Sequence, residues 1–173
     1  MKQFDKDNIK DEWLELVNEF PEIFLEPSPD VLSLFNEAKE NDWKNMPDKI
    51  DDLVNLRYGF EHGFGWNQII REFCKDIIHL IHDATNHGHK IHYKTFILKE
   101  KFGRCCTQGD FSGPDSDKYY DRCNNIIGQL EEKSLNTCEV TGKVGKRVTK
   151  KGSGWMKTLS KEIAEHEGYN YEN

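Results

Sequence analysis

The chain has 173 residues, 36% hydrophobic and 32% charged, with 24 basic and 31 acidic side chains and a net charge of −7. That length can bury one core, and the acidic balance speaks against a surface built for non-specific phosphate binding. The longest apolar runs, such as Ile77-Ile78 and Phe96-Ile97-Leu98, fall far short of the ~20 residues a membrane helix needs, and MKQFDKDNIK carries no signal segment, so a soluble cytosolic protein is expected.

Taken in chain order, Ile9, Trp13, Leu16, Val17 and Phe20 recur at helical spacing and predict a first helix over 8–20, stopped by Pro21. Three prolines between Pro21 and Pro29 surround Ile23, Phe24 and Leu25 and predict an extended connector pinned by apolar side chains. Asp30 is a plausible N-cap for a short helix running to about Glu40, and 41–52 reads as a polar loop or turn. Trp66, Ile69, Ile70, Phe73, Ile77, Leu80 and Ile81 share one face of a helix over 66–83, the expected central core element.

Alternation of Ile91, Tyr93, Thr95 and Ile97 predicts a strand over 89–98. Residues 103–116, rich in glycine and aspartate, read as a loop, and Tyr119, Tyr120, Cys123, Ile126, Ile127, Leu130 and Leu135 mark an amphipathic helix over 117–135. Residues 146–149 and 155–159 flank the turn Lys150-Lys151-Gly152-Ser153-Gly154, a hairpin signal. The expected fold is α+β, helices packed on a small antiparallel sheet within a single domain over 1–173. Its parts are an N-terminal helical segment (1–52), a core (53–136) and a C-terminal hairpin with its tail (137–173).

Chemistry-bearing residues form two groups. His79, His82, His87, His89 and His92 cluster, and His79 and His82 lie one helical turn apart, as a metal-chelating pair would. Both point away from the apolar face and lack a carboxylate or thiolate at matching spacing, so the plainer reading is a polar helix end; a metal-dependent enzyme is the lesser alternative. Cys105-Cys106 has no base partner or nucleophile elbow, and the five cysteines, odd in number and without a C-x-x-C pair, read as reduced thiols. No cofactor motif is present.

The second group is basic. Between Val140 and Lys161 stand seven basic residues and no acidic one, leaving 17 basic against 31 acidic side chains elsewhere. Lys143, Lys146, Arg147, Lys150, Lys151 and Lys157 with Trp155 are the candidate binding residues, although a solvated hairpin face has the same composition.

Four stretches in order carry a family likeness: Phe20-Pro21-Glu22-Ile23-Phe24; Tyr58-Gly59-Phe60-Glu61-His62-Gly63-Phe64-Gly65-Trp66; Lys99-Glu100-Lys101-Phe102-Gly103; and Thr137-Cys138-Glu139-Val140-Thr141-Gly142 followed by Gly154-Trp155 and Thr158-Leu159-Ser160. Together they resemble a family of small bacteriophage and prophage proteins. The resemblance implies a C-terminal zinc-finger-like hairpin in which three thiolates and an imidazole hold one zinc. Here Cys138 keeps the first ligand position, Thr141, Ser160 and Ile163 occupy the others, His166 falls three residues late, and His62 stands where relatives often have cysteine. The resemblance therefore implies a hairpin without stoichiometric zinc, held by Val140, Val144, Val148, Trp155, Leu159 and Ile163 instead. It also implies a phage-type accessory protein of the host bacterial cytosol that binds and modulates or inhibits a host protein, for example in a defence system. A polarised surface and the predicted loop around Phe111 agree with binding; the alternative partner is nucleic acid, on the basic hairpin.

Overall fold

The computed structural model describes residues 11–25 and 60–171, together with Ser33, Glu37 and Glu40. The helix expected over 30–40, apart from those three helical residues, and the loop over 41–52 lie outside the described residues. The fold is α+β.

Helix α1 (Asp11–Glu19) buries Leu16 and Val17, with Phe20 beneath its end, as its spacing predicts. Pro21 ends α1 but does not begin an extended connector. It stands at the start of a short helix, α2 (Pro21–Phe24), where its missing N–H is one of the donors a helix leaves unpaired anyway. Ile23, Phe24 and Leu25 are buried, so the apolar pinning holds although the conformation differs.

A two-residue strand, β1 (Phe60–Glu61), leads into a 3₁₀ turn (Phe64–Trp66) and the 20-residue helix α3 (Asn67–Asn86). Trp66, Ile69, Ile70, Phe73, Ile77 and Leu80 are buried along it, and Arg71 ties it to α1 through Glu19 (2.8 Å) and Glu15 (3.3 Å). Strand β2 (His92–Lys101) then pairs antiparallel with β3 (Arg104–Ser112) and parallel with β1, so this sheet is mixed and not purely antiparallel.

The span read as a loop over 103–116 is thus mostly strand. The buried positions of its strand are Cys105 and Thr107, weak apolar signals, and Thr107 meets Thr95 hydroxyl to hydroxyl at 2.7 Å across the ladder. Gly109 is needed there for space: a Cβ would lie 2.7 Å from the Tyr93 ring. Phe111 belongs to β3 and packs half-buried against the core instead of topping a loop. Helix α4 (Tyr120–Ser134) covers β3, with the Ser134 hydroxyl accepting the Cys105 N–H at 2.9 Å.

The C-terminal part forms a second three-stranded sheet. Strands β4 (Lys146–Lys150) and β5 (Met156–Leu159) make the predicted hairpin. After helix α5 (Lys161–Glu167), strand β6 (Tyr169–Asn170) pairs with the other edge of β4, and Gly168, at φ 77°, makes the reversal between them. Its small core is Cys138, Val148, Leu159, Ala164 and Tyr169, with Ile163 and Tyr171 partly buried. Val140, Val144 and Trp155, expected in that core, are exposed. Val144 lies before β4, in an isolated bridge with Thr137, and Trp155 in the hairpin loop, so neither belongs to the strand positions that alternation turns inward at Val148 and Leu159.

Candidate functional site

Three contacts seat the hairpin on the core. The Trp66 indole N–H donates to the Thr137 carbonyl (2.7 Å), the Gly65 N–H to the Glu139 carbonyl (2.8 Å), and the Thr158 hydroxyl to the Gly103 carbonyl. The last brings the β4–β5 hairpin against the β2–β3 turn, so the tips of the two hairpins lie side by side.

The β2–β3 turn has two residues, Phe102 (φ 54°) and Gly103 (φ 79°), both in the left-handed region that a tight hairpin of this twist requires. Gly103 suits it. Phe102 does not: a bulky L-residue there is a backbone outlier, and turns of this kind ordinarily carry Asn, Asp or Gly. Nor is its ring recovered by packing, since Phe102 is 57% exposed and Trp155 60% exposed. Phe102, Trp155 and Met156 line a groove of about 350 Å³ between the tips, edged by Glu100, Lys101, Ser153 and Gly154. One Glu100 carboxylate oxygen accepts the Gly103 N–H at 2.7 Å and braces the turn, while the Lys101 ammonium lies 5.8 Å from the Phe102 ring.

The basic residues divide by strand alternation. Arg147, Thr149, Met156 and Thr158 are cross-strand neighbours on the face toward the β2–β3 turn, and the Arg147 stem lies so close that a Cβ on Gly103 would come within 2.9 Å of its Cγ. Lys146 and Lys150 flank Val148 on the other face, 4.4 Å from the Tyr171 ring and 5.5 Å from the Tyr169 ring. Lys157 is ion-paired with the buried Glu139, so it is not the free surface cation its sequence context suggests. Lys143 and Lys151 are exposed. Of the seven candidates, Trp155 lines the groove, and Arg147 lies outside its lining, with its stem against Gly103 next to Phe102. Phe102 and Met156, which sequence reasoning did not single out as binding residues, complete it.

No family model, curated protein or solved structure matches this chain.

The other chemical candidates are placed apart. His79 and His82 are exposed on α3, His87 bonds back to the Asp83 carbonyl (2.7 Å), and His89 meets the Tyr119 hydroxyl (2.8 Å). Among the described residues no three His, Cys, Asp or Glu side chains converge as metal ligands. Burial pushes the Cys105 and Cys106 thiols up, the opposite of an activated nucleophile. All five cysteines are free thiols.

At the positions that the resemblance assigns to ligands, Cys138, Thr141 and Ser160 lie together. Burial pushes the Cys138 thiol up, but hydrogen bonds from the Thr141 hydroxyl and from the backbone of Ser160, Thr141 and Val140 outweigh it, leaving the thiol below its ordinary value. The turn that the resemblance assigns to a zinc ligand is closed by the backbone, the Cys138 N–H donating to the Lys143 carbonyl (2.8 Å) and the Gly142 N–H to the Cys138 carbonyl (2.9 Å).

Proposed function

We propose that this chain is a phage-type binding module that docks on a bacterial host protein through the Phe102–Trp155–Met156 groove and thereby modulates or inhibits it. One observation carries the reading: Phe102 combines a strained backbone with an exposed ring, beside a second exposed aromatic. Outliers of this kind concentrate where function requires them, and aromatic residues with Met and Arg are the side chains enriched at protein interfaces. No helix among the described residues is long and apolar enough to cross a membrane.

The test is an affinity pull-down from nuclease-treated bacterial lysate with the wild-type chain, Phe102→Asn and Trp155→Ala. A host protein retained by wild type and lost with both variants is the expected result. Retention by all three alike would remove the groove from the function. A second reading, nucleic-acid binding, is favoured by two exposed aromatics, Phe102 and Trp155, and by a basic hairpin whose Arg147 lies against the neighbouring Gly103. Capture that vanishes with nuclease and falls steeply with salt would support it instead.

A further inference from the structure

We infer that the groove receives an extended acidic peptide segment carrying one large apolar side chain, with the apolar anchor between Phe102, Trp155 and Met156 and the flanking carboxylates on Lys101 and Arg147. The inference rests on the docking reading and adds the chemistry of the partner.

Size argues for a peptide anchor. A cleft of about 350 Å³ is at the small end of the roughly 300–1,000 Å³ of ligand pockets, enough for one large side chain and its neighbours and too small for the face of a folded domain. Its lining joins the apolar and aromatic Phe102, Trp155 and Met156 to the polar Glu100, Lys101 and Ser153, the mixture of side chains from which interface anchor pockets are built.

Charge argues for carboxylates. Neither Lys101 nor Arg147 has a carboxylate partner within ion-pairing distance among the described residues, whereas Arg71, Arg104, Lys118, Arg122, Lys133 and Lys157 each have one. The one acidic residue lining the groove, Glu100, uses a carboxylate oxygen to hold the Gly103 N–H. Outside residues 140–161 the chain has 31 acidic side chains against 17 basic, so an acidic segment is repelled by the rest of the surface and steered to these tips. A nucleic acid, with a phosphate at every nucleotide, asks for a longer track of cations. That track is interrupted, because Lys157 is neutralised by Glu139 and Lys146 and Lys150 lie on the opposite face of β4 against tyrosine rings.

The experiment selects short peptides from a random displayed library on the immobilised full chain. Affinities of the enriched peptides, and of a single-stranded oligouridylate of similar length, are then measured for wild type, Phe102→Asn, Trp155→Ala and the double variant Lys101→Glu with Arg147→Glu. The expected peptides carry Asp or Glu flanking one aromatic or large aliphatic residue. Each aromatic variant weakens them by about tenfold or more, and the double charge reversal does the same. Replacing the peptide carboxylates by Lys restores binding to the charge-reversed chain, a rescue that a merely structural effect of the variants does not produce. Enriched peptides that need Phe102 and Trp155 but show no acidic bias, or are indifferent to the charge reversal, overturn this inference and leave the docking reading standing. Peptides indifferent to the aromatic variants, no enrichment, or tighter binding of oligouridylate than of any peptide overturn both.

Discussion

At Phe102 the backbone and the ring both sit where folding alone would not put them. A left-handed conformation costs an L-residue roughly 1–2 kcal/mol, and Asn tolerates it better than Phe. Phe102→Asn is therefore expected to raise unfolding stability by about 1 kcal/mol while weakening partner binding; urea denaturation and the pull-down read the two effects separately. A variant that loses both stability and binding would mean that Phe102 is a packing residue. Phe-Gly in the gap between two strands is the legible signal, but the residues after Gly103 look like a loop, with Gly109, Asp110 and Gly113 masking a strand. Another residue-scale consequence concerns His62, whose pKa burial lowers to about 4 although a hydrogen bond with the Gly63 carbonyl raises it. The folded chain then holds His62 neutral, while the unfolded chain takes up a proton below about 6.5. Its contribution is fully present above about pH 6.5 and is lost as pH falls toward 4, for a total of about 3 kcal/mol. Burial pushes the Glu139 carboxyl up, against the pull of Lys157, and so works in the opposite sense over its own range, favouring the fold as pH falls. Subtracting the unfolding stability of His62→Gln from that of wild type should isolate a difference that grows from pH 4 to 6.5; a flat difference would show that the histidine titrates alike in the folded and unfolded chain.

Between elements, the decisive fit is that of the Gly63–Trp66 segment against the 138–142 turn. A Cβ on Gly65 would lie 2.2 Å from the Cys138 carbonyl oxygen and 2.4 Å from the Gly142 nitrogen, and one on Gly63 would lie 2.1 Å from the Glu139 carbonyl oxygen. These are backbone atoms, which cannot rotate away. Gly65→Ala is therefore expected to cost about 3 kcal/mol, at or above the upper end for core overpacking, and to loosen the hairpin first. Hydrogen exchange should show lost protection of the Gly65 and Gly142 amides before that of α3. Unchanged protection of both would contradict the fit. The glycines were visible in the sequence as Gly63-Phe64-Gly65-Trp66, but their reason was not. It lies in a segment more than seventy residues away, and no local pattern states which turn will press against them. The long helix and the β4–β5 hairpin were legible because periodicity and turn chemistry are local. Strands β1 and β6 were not, because two residues are too few to show alternation.

On the scale of the whole molecule, the structure contains two unequal cores. One gathers the buried faces of α1, α2, α3, β2, β3 and α4; the other has only Cys138, Val148, Leu159, Ala164 and Tyr169 at its centre. Units below about 40 residues seldom fold without a metal, disulfide or partner, and 137–173 has neither a disulfide nor the ligand set that the family resemblance implies. What holds it is the larger core, through Trp66 to Thr137, Gly65 to Glu139 and Thr158 to Gly103. The groove is formed only when these contacts hold, because Phe102 belongs to one sheet and Trp155 to the loop leading into the other. A peptide spanning 137–173 is accordingly expected to be unfolded by circular dichroism and to stay unfolded when zinc is added. In the full chain, Trp66→Phe removes one of the three ties and is expected to weaken peptide capture at the groove together with stability, because misplacing the hairpin separates Trp155 from Phe102. Zinc-induced folding of the isolated segment would reverse the argument. It would mean that the residues at the positions the resemblance assigns to ligands assemble a metal site, and that the hairpin brings its own stability to the core it rests on.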